Sequence, residues 1–149
     1  MKKFALLTLV CFLTACSFSP DVNWEQGNLA ELAHIDVELK SNLWTDLLPN
    51  VDKSAQTRNL NGTLTLTTSG ELPADLTVKQ IVLKQGKDFW VINGDDVELR
   101  TQSENVWEVV FQTEIALHLN KTVSVALELV DTDGDVWLVE RKIEIDRVY

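Results

Sequence analysis

The sequence is poor in positive charge. Lysine and arginine number 13 against 23 aspartates and glutamates, a formal net charge of −10. So acidic a chain excludes nucleic acid as a partner, because the phosphates would be repelled. The same balance argues against docking on anionic lipid heads through a basic patch, and it favours solubility. Long hydrophobic runs are missing as well. The apolar stretch Phe4–Leu13 falls short of the roughly 20 apolar residues that a membrane-spanning helix needs, and no later stretch is long enough. Histidine occurs only twice, at His34 and His118, both at positions that read as outward on strands. No G-x-S-x-G, H-E-x-x-H or phosphate-loop pattern occurs, so the sequence offers no catalytic set and reads as non-catalytic. There are no internal repeats and no low-complexity tract, and 149 residues suffice for one domain with its own core.

What the sequence does have begins at its start. "MKKFALLTLVCFLTAC" passes from two lysines through an apolar stretch to small residues before Cys16. These are the three regions of a secretory signal peptide. Its end, Leu13-Thr14-Ala15-Cys16, resembles the lipobox of bacterial lipoprotein precursors, Leu-small-small-Cys. The resemblance covers residues 1–16. It implies that residues 1–15 are removed, that the Cys16 sulfur receives a diacylglyceryl group and that the new amine is acylated. One acyl chain binds membranes marginally, whereas three on one residue would hold permanently. The cysteine count agrees: Cys11 would leave with the signal and Cys16 would be consumed by lipid. The mature chain would then carry no free thiol and no disulfide in an oxidising compartment. Ser17 stands where an aspartate tends to retain enteric-type lipoproteins in the inner membrane. The resemblance therefore implies lipid anchoring to the outer membrane with the domain facing the periplasm, the leaflet being left open.

Residues 16–28 contain Pro20 and Gly27 and show no periodicity, so they read as the lipidated cysteine and a tether. Trp24 is either the first packed residue or an aromatic at the membrane. The domain occupies 29–149, where the hydrophobic period is two. Ile35, Val37 and Leu39 alternate with charges; so do Val97 and Leu99, and Val123, Val125, Leu127 and Leu129 keep one parity. Leu60, Leu64 and Leu66 alternate with threonines, and Trp107, Val109, Phe111, Ile115, Leu117 and Leu119 all fall on odd positions. These are half-buried antiparallel strands. The phase breaks twice. Leu76 and Val78 are even but Ile81 and Leu83 odd, which predicts a bulge near Lys79–Gln80. Arg141 shares parity with Trp137, Val139, Ile143 and Ile145, so it snorkels, pairs with a carboxylate or is turned out by a bulge. Asn93-Gly94 and Asp133-Gly134 signal hairpin turns. Only Ser41–Asn50 looks helical, with Ser41 as cap, Leu43, Trp44, Leu47 and Leu48 on one face, and Pro49 as stop. Seven or eight strands predict an all-β fold: an antiparallel two-sheet sandwich, immunoglobulin-like in architecture but without the Cys…Trp…Cys pattern of antibody domains. A small antiparallel barrel is the alternative.

Two stretches are candidate sites. Asp131, Asp133 and Asp135, with Glu140 beyond, are candidate Ca²⁺ ligands, the only cofactor the sequence suggests. The spacing departs from an EF-hand loop, since Gly134 is fourth and Glu140 tenth, and the other reading is an acidic hairpin turn. Asp88–Asn93 is apolar on both faces, Phe89 and Val91 on one and Trp90 and Ile92 on the other; Val136–Val139 has the same character. A half-buried strand does not need this. Either Phe89, Trp90 and Ile92 contribute to a partner-binding patch, or the segment is covered by the N-terminal residues or the helix. The leading expectation is a lipid-anchored, non-catalytic protein that binds or helps assemble another, unidentified envelope protein. Lipoproteins of bacterial secretion machines, the type VI system among them, are similar in size and form, without a diagnostic motif here. The runner-up is a module binding Ca²⁺ or glycan through the acidic hairpin and an exposed tryptophan.

Overall fold

Alternating side chains need one face in a core and one in water, and two sheets stacked face to face supply both. The structure is a computed structural model and describes residues 21–46 and 58–148. The lipobox, and Leu47, Leu48 and Pro49 of the expected helix, lie outside the described residues. Ten strands are present: β1 (Leu29–Leu32), β2 (Ile35–Asp46), β3 (Arg58–Thr68), β4 (Thr77–Gln85), β5 (Asp88–Asn93), β6 (Glu98–Ser103), β7 (Val106–Ile115), β8 (Val123–Asp131), β9 (Gly134–Ile143) and β10 (Ile145–Val148). One sheet has the order β2-β3-β7-β6, with β1 and β10 sharing the outer edge of β2; the other has the order β5-β4-β8-β9. All pairs are antiparallel except β10 on β2. The sheets pack on each other without closing into a barrel. The two orders are those of the A-B-E-D and C′-C-F-G sheets of an immunoglobulin-like sandwich.

The inner faces hold the core. Val37, Leu39 and Leu43 of β2, Leu64 and Leu66 of β3, Ile81 and Leu83 of β4, Val125, Leu127 and Leu129 of β8 and Leu138 of β9 are fully buried. The expected bulge is there: the β4–β8 register shifts between Val78 and Gln80. A second bulge explains Arg141. Val123 faces Ile143 but Val125 faces Glu140, so β9 has an extra residue across this stretch, and Lys142 takes a positive φ of 61°. Arg141 is turned out and meets Glu25 at 3.3 Å. Trp137 and Val139 therefore face outward, opposite to Ile143 and Ile145.

Three expectations need correction. Ser41–Asp46 is strand, not helix: β3 pairs with it on one side and β10 on the other, and Leu43 and Thr45 continue the inward alternation. Strands number ten among the described residues, because β1 folds back through a turn at Ala33-His34 and β10 crosses between sheets after Glu144. His34 consequently sits in a turn, not on a strand. The stretch with Asp133-Gly134 does close the β8–β9 hairpin, Thr132 and Asp133 lying between the paired Asp131 and Gly134, but Asn93-Gly94 closes none. It begins a 3₁₀ turn, Gly94–Asp96, that carries the chain from β5 in one sheet to β6 in the other. Gly94 is required there by proximity: a Cβ would lie 1.9 Å from the Val78 carbonyl oxygen at the β4 bulge. Because that neighbour is backbone, Gly94→Ala must push the turn off the bulge. A loss of about 1–3 kcal/mol, the usual range for overpacking, is expected in urea unfolding; an unchanged midpoint would show that the turn moves freely.

Candidate functional site

The second sheet is apolar on its outer face as well. Val82 and Ala126 are fully buried there and Val139 nearly so, in a cluster separate from the main core. Register places Val91, Val82, Ala126 and Val139 in one row across all four strands. The row is closed by the residues that read as tether. Val22, Trp24 and Trp137 pack on it, and polar links pin the strap. The Val139 N–H donates to the Gly27 carbonyl at 3.1 Å, the Gln26 side chain donates to the Trp137 carbonyl, and Glu25 pairs with Arg141. Trp24 is thus a packed residue. The Trp24 and Phe89 ring centroids are 6.3 Å apart, with Lys84 Nζ 5.4 Å from the first and 5.5 Å from the second.

The strap also answers the two-sided character of β5. Trp90 and Ile92 belong to the inner face, Ile92 buried and Trp90 half-buried against the core. They are withdrawn from the candidate patch. Phe89 and Val91 point outward and remain 43% and 51% exposed. Val91 was not singled out from sequence as a contact residue, though its parity with Phe89 carried the signal. All five tryptophans are at least half-buried, so the exposed tryptophan of a glycan module is not found.

A polar junction lies where the strap meets both sheets. Along the outer edge of β2, β1 pairs with residues 35–38 and β10 with 43–46. The backbone between them would be orphaned, which is costly where it is sheltered. Asn28 takes Leu39, accepting its N–H at 2.8 Å and donating its side-chain N–H to its carbonyl at 2.9 Å. Glu140 of the opposite sheet accepts the Ser41 N–H at 3.1 Å. Burial pushes the Glu140 carboxyl above its ordinary value; the Ser41 N–H and Lys40 pull against this, and Glu38 adds to it.

The acidic hairpin does not converge on an ion. Asp131 Oδ1 is occupied by the backbone N–H groups of Asp133 and Gly134, at 2.8 and 3.0 Å. Asp135 pairs with Lys79 at 3.5 Å, and Asp133 points into solvent. Among the described residues no three carboxylates, histidines or cysteines gather closely enough to hold a metal. Glu140 lies at the strap junction instead. His34 and His118 are exposed in separate loops. A shallow depression of about 480 Å³ on the first sheet is lined by Trp44, Asn61, Asp96, Glu98 and Gln112 among others. No protein-family model matches the chain, and no curated protein is significantly similar to it.

Two outcomes follow from the strap. Trp24→Ala uncovers the outer row; because Trp24 is only half-buried, the loss falls below the roughly 3–5 kcal/mol of a fully enclosed ring, on the order of 2 kcal/mol. It is read by urea unfolding, and no loss would mean the strap does not contribute. The second concerns pH. A carboxyl whose pKa is raised on folding stabilises fully below its ordinary pKa, and that contribution is lost as pH rises through the raised value. Glu140→Gln keeps an oxygen for the Ser41 N–H but cannot ionise. Between about pH 4 and pH 7 the unmodified protein should lose stability relative to Glu140→Gln; parallel unfolding midpoints across that range would refute the assignment.

Proposed function

We propose that this is a lipid-anchored, non-catalytic protein of the bacterial outer membrane whose sandwich faces the periplasm and binds or helps assemble another envelope protein. The observation that carries this reading is Leu13-Thr14-Ala15-Cys16 at the end of a charged, apolar, small-residue leader. Its place in the chain supports it. From Cys16 only five residues lead to Asp21, and the next residue, Val22, is already packed on the second sheet. A lipidated Cys16 would therefore hold the domain on a link of at most about 18 Å. Binding or assembly is what a short-tethered sandwich can do by presenting a rigid surface at fixed height.

Mass spectrometry of the N-terminus of the protein from bacterial membranes tests the placement. The first residue should be Cys16 bearing three acyl chains, in material that sediments with the outer membrane. An unacylated Cys16, or cleavage elsewhere, would overturn the reading.

A further inference from the structure

The charge of the domain is unevenly placed. At one end of the sandwich lie the loops 69–76, 104–105 and 131–135. They carry Glu71, Asp75, Glu104, Asp131, Asp133 and Asp135 and no lysine or arginine of their own, Lys79 of β4 reaching Asp135. At the other end lie the β4–β5 turn and the β7–β8 loop, tied together by the buried side chain of Gln85. Its amide donates to the His118 and Lys121 carbonyls at 2.8 and 3.3 Å, and its oxygen accepts the His118 N–H at 2.8 Å. Residues 84–89 and 116–122 bear Lys84, Lys87 and Lys121 against Asp88 alone. The strand ends beside these loops add Glu114, Glu144 and Asp146 and also Lys142 and Arg147, so this end is close to neutral where the whole chain is −10.

The lysines do not stand by themselves. Beside them on the outer face of the second sheet are Phe89 and Val91, two of the four large hydrophobic residues exposed among those described. Lys84 lies over the rings of Trp24 and Phe89, an aromatic surface with a cation at its rim. The chain leaves the described structure at Asp21, next to Val22 and Trp24 on this same face. Lipid on Cys16 would hold that face within about 18 Å of its membrane. From Lys84 to Thr77 along β4 is roughly 23 Å, so the acidic loops stand about a strand's length from the lysines. Amphipathic aromatics and lysines at an apolar boundary are the groups that favour the headgroup region of a bilayer, and lysines near an anionic surface are attracted within a Debye length of about 8 Å at physiological salt.

We propose that the face formed by Trp24, Lys84, Lys87, Phe89, Val91 and Lys121 lies against an anionic phospholipid bilayer and points the acidic loops away from it. The proposal rests on acylation of Cys16. The fit is one of length, charge and apolarity together: the link starts from the strap on this face, Lys84, Lys87 and Lys121 stand here, and exposed Phe89 and Val91 meet the acyl boundary. The contact sets orientation, while the acyl chains supply retention.

The test uses the full chain, purified from bacterial membranes and reconstituted in vesicles of phosphatidylethanolamine with phosphatidylglycerol. Asp88→Cys and Asp133→Cys each receive an environment-sensitive fluorophore, and N-terminal mass spectrometry establishes acylation of each sample. The probe at 88 should shift to the blue and be quenched several-fold less by aqueous iodide than the probe at 133. The difference should shrink in phosphatidylcholine vesicles and when Lys84, Lys87 and Lys121 are changed to glutamate. Equal quenching at the two positions in acylated protein overturns the orientation while leaving the anchor standing. Shielding of position 88 in native envelopes but not in lipid vesicles assigns the face to a protein partner and overturns the proposal. An unacylated Cys16 removes the anchor and the proposal with it.

Discussion

The structure depends on covering a sheet that is apolar on both faces. Ile81-Val82-Leu83 in β4 and Val125-Ala126-Leu127 in β8 are fully buried without interruption. Such runs suit strands enclosed on two sides, whereas an antiparallel sheet in a two-layer sandwich ordinarily has one wet face. The first sheet closes the inner side. Among the described residues, the hydrophobic cover on the outer side comes from Val22, Trp24 and Trp137. Without the strap, the Val91–Val82–Ala126–Val139 row would be an exposed apolar surface of the kind that drives association. The residues between the proposed anchor and the first strand are therefore part of the fold from Val22 onward.

The strap is coupled to the junction of the two sheets. Gly27 pairs with β9 in one sheet and Asn28 with β2 in the other, while Glu140 reaches from β9 to the Ser41 N–H of β2. These contacts occupy the interval along β2 that neither β1 nor β10 reaches. The backbone there needs partners, and the Asn28 carbonyl and side chain and the Glu140 carboxylate supply them because no strand does. Glu140 bears the electrostatic cost, since shelter opposes its charge while the N–H it accepts favours it. One place thus joins the two sheets to the segment that would carry the lipid.

Most of the fold was legible in the sequence because its physics is local. Alternation fixed the faces of β3, β7 and β8, and the change of parity between Val78 and Ile81 located the β4 bulge. What failed depends on contacts distant in sequence. Leu43 and Trp44 resemble a helical face only when Leu47 and Leu48 are counted with them; pairing of β2 to β3 and β10 decides for strand. Asn93-Gly94 has the composition of a tight hairpin, yet its glycine answers to the β4 backbone. The β1–β2 turn is at Ala33 and His34, with φ of 51° and 65°; histidine favours the left-handed region but alanine does not, and no glycine or asparagine marks the turn. Of the proposed patch Phe89, Trp90 and Ile92, Phe89 is the residue on the exposed outer face. Trp90 and Ile92 were misassigned because a sequence with two apolar faces does not say which face meets the core. The carboxylates of Asp131 and Asp135 were visible as residues, but their engagement by the hairpin backbone and by Lys79 was not.

Net charge illustrates the same limit. A total of −10 argues against an anionic surface only if charge is spread evenly. Here antiparallel connection places the lysine-bearing β4–β5 turn and β7–β8 loop at one end and the acidic loops at the other, separated by the length of the strands. Gln85 fixes the first pair of loops to each other. At a separation well beyond a Debye length, the two ends act on their surroundings almost independently. An acidic domain can then face an anionic bilayer with one end while the other repels it, and repulsion at the far end reinforces the orientation that attraction at the near end selects.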